Sequence, residues 1–192
     1  VDFDRGTVTI DGSEYELLDK NFPTVCRKDP LSLTDAENEL MSVLENSFMH
    51  SERLNSHIRF LYSKGSMYKT INGNLLFHGC IPLDENGQLQ SVNIAGTDYS
   101  GKALLDKLDE IANKAYFMQP GEEKDYAADY MWYLWSGARS PLYGKDKMAF
   151  FERYFLDDKK LHKENYNAYY HFSEQAEVCG WILEMLSLIH IS

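Results

Sequence analysis

The sequence predicts a mixed α/β (α+β) fold, and three features carry that prediction. Two runs alternate around strong turn signals, Asp11-Gly12 and Asn72-Gly73. Two others, starting near Leu40 and Leu104, space their apolar residues three and four apart, which marks one face of a helix. No apolar run approaches the length of a membrane span.

The elements follow in order. Thr7-Val8-Thr9-Ile10 and Glu14-Tyr15-Glu16-Leu17 flank Asp11-Gly12, a hairpin signature because two-residue turns favour residues that accept positive φ. Asn21 to Pro30 holds two prolines and reads as a loop. Thr34 followed by Glu37 forms a capping box, opening a helix with Leu40, Met41, Leu44 and Phe48 on one face. A second helix starts near Ser51, carries Leu54, Ile58 and Leu61, and ends at Gly65. Ser66 to Ile71 and Asn74 to His78 pair across Asn72-Gly73. The second of these strands is apolar on both faces and is expected in a sheet interior. A further hairpin or loop is expected around Gly96. Helices are expected over 102–117, 125–135 and 174–186, with Pro120-Gly121 breaking the first from the second. The aromatic block Tyr126 to Trp135 is read as a buried helix.

Composition excludes several function classes. Hydrophobic residues make up 44% and charged residues 26%, and the net charge is −11. That balance argues against nucleic-acid binding, which needs clustered cations to neutralise phosphates, and against an anionic membrane surface. An anionic small molecule must then be held by a few local cations or by metal ions. The three cysteines, Cys26, Cys80 and Cys179, are widely spaced and form no Cys-x-x-Cys pair. They read as reduced thiols of a cytoplasmic protein.

The segment from Asn72 to Leu83 (Asn-Gly-Asn-Leu-Leu-Phe-His-Gly-Cys-Ile-Pro-Leu) is the best candidate for chemistry. A strand is a rigid arm, and an imidazole at its tip, His78, can be aimed at a cation. Gly79 lets backbone or a phosphate approach closely. A lone strand-end histidine is more often structural than a ligand, so the surroundings must decide. Arg139, Lys145 and Lys147 surround a glycine loop that either presents cations and backbone N–H groups to a sugar phosphate or is a surface loop with solvated lysines. Glu152-Arg153 and His162-Lys163-Glu164 either line the cleft or, the favoured reading, form ordinary surface ion pairs. Asp2-Phe3-Asp4-Arg5-Gly6 pairs two carboxylates, but a single residue separates them and a hairpin follows at once, so it is not read as a metal-binding motif.

Several blocks occur in one order: Ile58 to Tyr68, Asn72 to Leu83, Tyr99 to Lys107, Met131 to Trp135, Ser140 to Met148, Phe151 to Phe155, and His162 to Glu164. Together they resemble the class III fructose-1,6-bisphosphatases of Firmicutes-type bacteria, gluconeogenic enzymes of the calcineurin-like, dinuclear metallophosphatase group. Ser136-Gly137-Ala138 departs from the Cys-Gly-Pro expected there, and the tail 187–192 departs from the family pattern.

The resemblance implies an incomplete metallophosphoesterase-type β-sandwich flanked by helices. It implies one partial domain over 1–192: a hairpin and loop (1–31), a helical hairpin (32–65), a sheet segment with His78 (66–100), a helical region (101–186) with the basic loop 137–147, and an atypical tail (187–192). It implies that this chain is an internal or C-terminal piece. The family's Asp-x-His, Gly-Asp-x-x-Asp-Arg-Gly, Gly-Asn-His-Asp and Asn-Gly-His motifs do not occur in it. It matches His78 to a ligand of a dinuclear Mn²⁺ site whose other ligands come from the remainder of the parent chain. The implied substrate is a sugar bisphosphate, fructose 1,6-bisphosphate, and the isolated chain is expected to be inactive. Neither a nucleic acid nor a membrane is an expected partner, whereas a homo-oligomer is compatible with the sequence. Alternatives at this stage are another dinuclear metallophosphoesterase and a non-catalytic binding or assembly module.

Overall fold

Three two-residue turns organise the β structure of this computed structural model, which describes residues 1–186. Asp11-Gly12, Asn72-Gly73 and Ala95-Gly96 each place both central residues at positive φ, as tight hairpins require. They join β1 (Thr7–Ile10) to β2 (Ser13–Glu16), β3 (Tyr68–Ile71) to β4 (Asn74–Phe77), and β5 (Ser91–Ile94) to β6 (Thr97–Ser100). Among the described residues the sheets are these three antiparallel pairs. The placement expected for the second strand of the middle hairpin is corrected: β4 pairs with β3 alone rather than lying in a sheet interior. Its apolar run is divided by the strand's period of two. Leu75 and Phe77 pack on a core, while Leu76 is 54% exposed.

The chain forms two compact units. The first comprises Val1–Leu61 with Ala149–Lys163. Its core is Val8, Leu17 and Leu156, packed by Phe22, Phe151 and Phe155. The Leu18 amide donates to the Phe155 carbonyl at 2.8 Å, tying the first hairpin to α5 (Phe150–Phe155). This unit also holds α1 (Asp35–Met49) and most of α2 (Glu52–Lys64). The capping box at α1 is present: the Glu37 amide donates to Thr34 Oγ1, and the Thr34 amide donates to Glu37 Oε2 at 2.8 Å. The hydrogen bond from the Thr34 amide, with that from its hydroxyl, holds the Glu37 carboxyl below its ordinary pKa.

The second unit, Tyr62–Met148 with the chain from Glu164, is built on α3 (Gly101–Phe117). One side of α3 places Leu104, Leu108, Ile111 and Ala112 against Ile94 of β5 and against Ala127 and Leu134 of α4 (Glu122–Ser136). Leu105 faces a second cluster with Ile81, Leu83 and the α7 (Ala176–Met185) residues Val178 and Ile182. Each fully buried leucine contributes roughly 1.5–3 kcal/mol. This two-sided burial therefore outweighs any cap or surface ion pair on the helix. A short α6 (Tyr169–Phe172), not anticipated from sequence, precedes α7.

The expectation that the aromatic block is buried is also corrected. α4 buries only Ala127 and Leu134, and leaves Trp132 67% and Trp135 58% exposed. Aromatic residues surround this helix, yet only one stripe can face α3. Among the described residues no helix is long and apolar enough to cross a membrane. The tail 187–192, including His190, lies outside the described residues.

Candidate functional site

β4 carries the chain from solvent into the core within three residues. It ends at Phe77, His78 is exposed just beyond it, and Cys80 is wholly buried. Gly79, at φ 86°, makes the descent possible: a Cβ there would lie 2.0 Å from the Pro141 carbonyl oxygen. The Cys80 amide donates to that same oxygen at 2.7 Å. Burial pushes the Cys80 thiol up to about 12. Cys80 is sealed from solvent while His78 is exposed, so the imidazole is the side chain of this segment that an ion or ligand in solvent can reach.

Pro141 belongs to the loop after α4, so the structure joins two segments that the sequence only suggested separately. The loop is rigidly built. Arg139 sits in the left-handed region at φ 65°. Ser140 is buried; its hydroxyl donates to the Leu134 carbonyl at 2.7 Å. The Gly144 amide donates to the Ser140 carbonyl at 3.0 Å, and the Tyr143 hydroxyl donates to the Lys147 carbonyl at 2.8 Å. Behind the loop, the Tyr133 hydroxyl is buried without a hydrogen-bond partner. Burial pushes its pKa up to about 12.

Arg139 and Lys145 line one cavity of about 330 Å³, together with Gln90, Asp146, Asn165 and Asn167. The Lys145 ammonium lies 2.7 Å from Glu164 and over the rings of Tyr143 and Tyr166, at 5.7 and 5.4 Å. The hydrogen bond to Glu164 raises its pKa. The Glu164 side chain is only 10% exposed, so its reading as part of a surface ion pair is corrected: it is a half-enclosed anchor for Lys145. Burial acts to raise the Asp146 carboxyl, but hydrogen bonds led by the Asn165 side chain outweigh it and leave the pKa lowered. Arg139 Nη1 reaches the Ser91 carbonyl at 3.4 Å. Lys147 lies two residues beyond Lys145 in the same loop but does not line the cavity.

Asn167 is the residue that sequence reasoning missed. Its Oδ1 accepts from the Leu83 amide at 3.0 Å and the Tyr169 amide at 2.9 Å, and its Nδ2 donates to Gln90 at 3.2 Å. It thereby ties the floor of the cavity to the chain descending from His78. An asparagine 84 positions from its partner leaves no local signal in the sequence.

The other candidates are structural. Asp2 Oδ1 accepts from the Asp4 and Arg5 amides, each at 3.0 Å, so it closes a turn. His162 lies 2.9 Å from the Leu156 carbonyl through Nε2, and Arg153 donates to the His162 carbonyl at 3.3 Å. Among the described residues no three or more His, Cys, Asp or Glu side chains are grouped to hold a metal ion. His78 thus stands apart from any such group among the described residues.

Two outcomes follow from this geometry. Gly79→Ala is expected to lower stability by about 1–3 kcal/mol from the left-handed backbone alone, and by more from the contact with Pro141. Denaturant unfolding would measure the loss; an unchanged midpoint would remove the docking of Gly79 on Pro141. In the folded protein a thiol reagent is expected to modify exposed Cys26 quickly, and Cys80 only as the protein unfolds. The Cys80 pKa is raised by folding, so its share of stability is full below about pH 8.5 and is lost as pH climbs from there toward 12. Unfolding midpoints measured from pH 7 to 10 should therefore fall less steeply in Cys80→Ala than in the wild type.

Comparison with known proteins identifies the family of the chain. The family model described as Firmicute fructose-1,6-bisphosphatase matches residues 1–191. A protein of Clostridium tetani named fructose-1,6-bisphosphatase class 3 is 51% identical over 98% of this chain and 28% of its own length. Proteins of the same name from Clostridium botulinum (strain Alaska E43) and Clostridium acetobutylicum are 50% and 48% identical, again over 98% of this chain, and over 29% and 28% of their own lengths. This chain thus spans less than a third of the relatives it matches. No solved structure matches it. A match along essentially the whole chain, at about half identity, means that the chain belongs to the Firmicute fructose-1,6-bisphosphatase family.

Proposed function

We propose that the protein containing this chain hydrolyses the 1-phosphate of fructose 1,6-bisphosphate, giving fructose 6-phosphate and inorganic phosphate in gluconeogenesis. The observation that carries the proposal is His78: an exposed imidazole held at the end of β4 by a backbone that only Gly79 accommodates. The relatives' shared name supplies the substrate. The compartment proposed is the cytoplasm, in keeping with three free cysteines.

His78 is the residue of this chain proposed to hold a divalent cation; the family resemblance points to Mn²⁺, a metal that carboxylate donors from the remaining polypeptide would suit. A bound divalent cation polarises a phosphoryl oxygen and lowers the pKa of its water. Both compact units are proposed as parts of one partial metallophosphatase domain. Its three hairpins would be extended into a two-sheet sandwich by strands of the remaining polypeptide.

Arg139, Lys145 and Lys147 are proposed as the cations that meet the substrate. Arg139 and Lys145 share a cavity with the amides of Gln90 and Asn165, which can hydrogen-bond sugar hydroxyls. The two tyrosine rings and Glu164 keep Lys145 in place, so little side-chain entropy is lost when it meets a phosphate. Lys147 extends the positive charge along the same loop.

In the full-length protein, His78→Ala is expected to lower bound metal per chain, measured by elemental analysis, and to cut turnover by orders of magnitude while the thermal midpoint barely moves. Wild-type metal content and turnover would refute the ligand role. The 192-residue chain alone is expected to show no metal-dependent release of phosphate from fructose 1,6-bisphosphate. Turnover by that chain would mean that its own residues complete the centre.

A further inference from the structure

We propose that α1 docks on α2 of a second copy of this chain, forming a two-fold symmetric interface. None of the fifteen residues of α1 is buried. Leu40, Met41, Leu44 and Phe48 fall on one face, and they are 57%, 53%, 45% and 67% exposed. A helix of this length is marginal in water, and helices in proteins draw their stability from packing an apolar face. A capping box contributes only about 0.5–2 kcal/mol. The stripe is therefore a docking surface, and charge identifies what docks.

α1 carries Asp35, Glu37, Glu39 and Glu45 and has no Lys or Arg. Its partner must offer apolar side chains beside positive charge. α2 does so: Arg53, His57, Phe60 and Leu61 follow helical spacing along one exposed face. Over its whole length α2 has three Lys or Arg against one carboxylate, Glu52. Only His50 and Ser51 separate the two helices, and within one chain they do not pack lengthwise on each other. Between two copies the same complementarity is used twice, with α1 of each on α2 of the other, as a closed two-fold interface requires. The lengths match as well, at roughly 20 Å each by the helical rise. These 192 residues carry a net charge of −11, so a basic face such as that of α2 is an exception among them, and it attracts acidic α1.

The test uses the full-length protein in sedimentation velocity over a concentration series. The wild type is expected to dimerise. Glu45→Lys and Arg53→Glu are each expected to weaken the dimer about tenfold or more, and the double variant to recover wild-type association. Leu44→Glu is expected to give monomers, with circular dichroism checking that the protein stays folded. A wild type that is monomeric at every concentration, with α1 covered by its own polypeptide, would overturn the proposal. So would single charge variants that associate like the wild type.

Discussion

The carbonyl of Pro141 is the constraint on which the site depends. It accepts the Cys80 amide at 2.7 Å and leaves no room for a side chain at position 79. One oxygen thus fixes where the β4 arm stops and where the loop after α4 begins. The loop cannot shift without pulling on Cys80, which is sealed in the core beside Ile81 and Leu83. Nor can the arm shift without uncoupling Ser140, whose hydroxyl closes the end of α4. His78 is solvent-exposed, yet its backbone is held by groups that are not.

Behind this contact stands α3. It packs Leu104 and Leu108 toward α4 on one side and Leu105 toward α7 on the other. The segment from Cys80 to Leu83 lies in the second of these clusters, through Ile81 and Leu83, and the loop from Arg139 to Lys147 issues from α4 in the first. The two sides of one helix therefore set the distance between the imidazole arm and the basic loop. A small change on either face of α3 should be felt at the site through packing rather than through charge.

What the sequence made legible was local. The hairpin turns at Asp11-Gly12 and Asn72-Gly73, the capping box at Thr34 and the periodic spacing of α3 each lie within a few residues, and each appears as read. What it concealed was set by distant neighbours. Leu75, Leu76 and Phe77 look equally buried until the partners of β4 are known. Trp132 and Trp135 look like core residues, yet α3 covers only the stripe through Ala127 and Leu134. At the site, His78 and the basic residues were visible as residue types. The cavity that joins Arg139 to Lys145, with Glu164 and Asn167 behind it, was not. Glu164 lies 19 positions from its lysine and Asn167 lies 84 from Leu83, and no periodicity connects such pairs.

The distribution of charge separates the roles of the two units. In the second unit two cations are held: Lys145 by Glu164 and two rings, and Arg139 by the Ser91 carbonyl. A held cation loses little entropy on meeting an anion. In the first unit the charge is sorted by helix instead, acidic on α1 and basic on α2, beside apolar side chains that remain exposed. Sorting of that kind gives no purchase on a small molecule, but it does fix register and partner between two surfaces. The two units therefore carry charge in two forms, fixed beside a cavity in one and segregated by helix in the other.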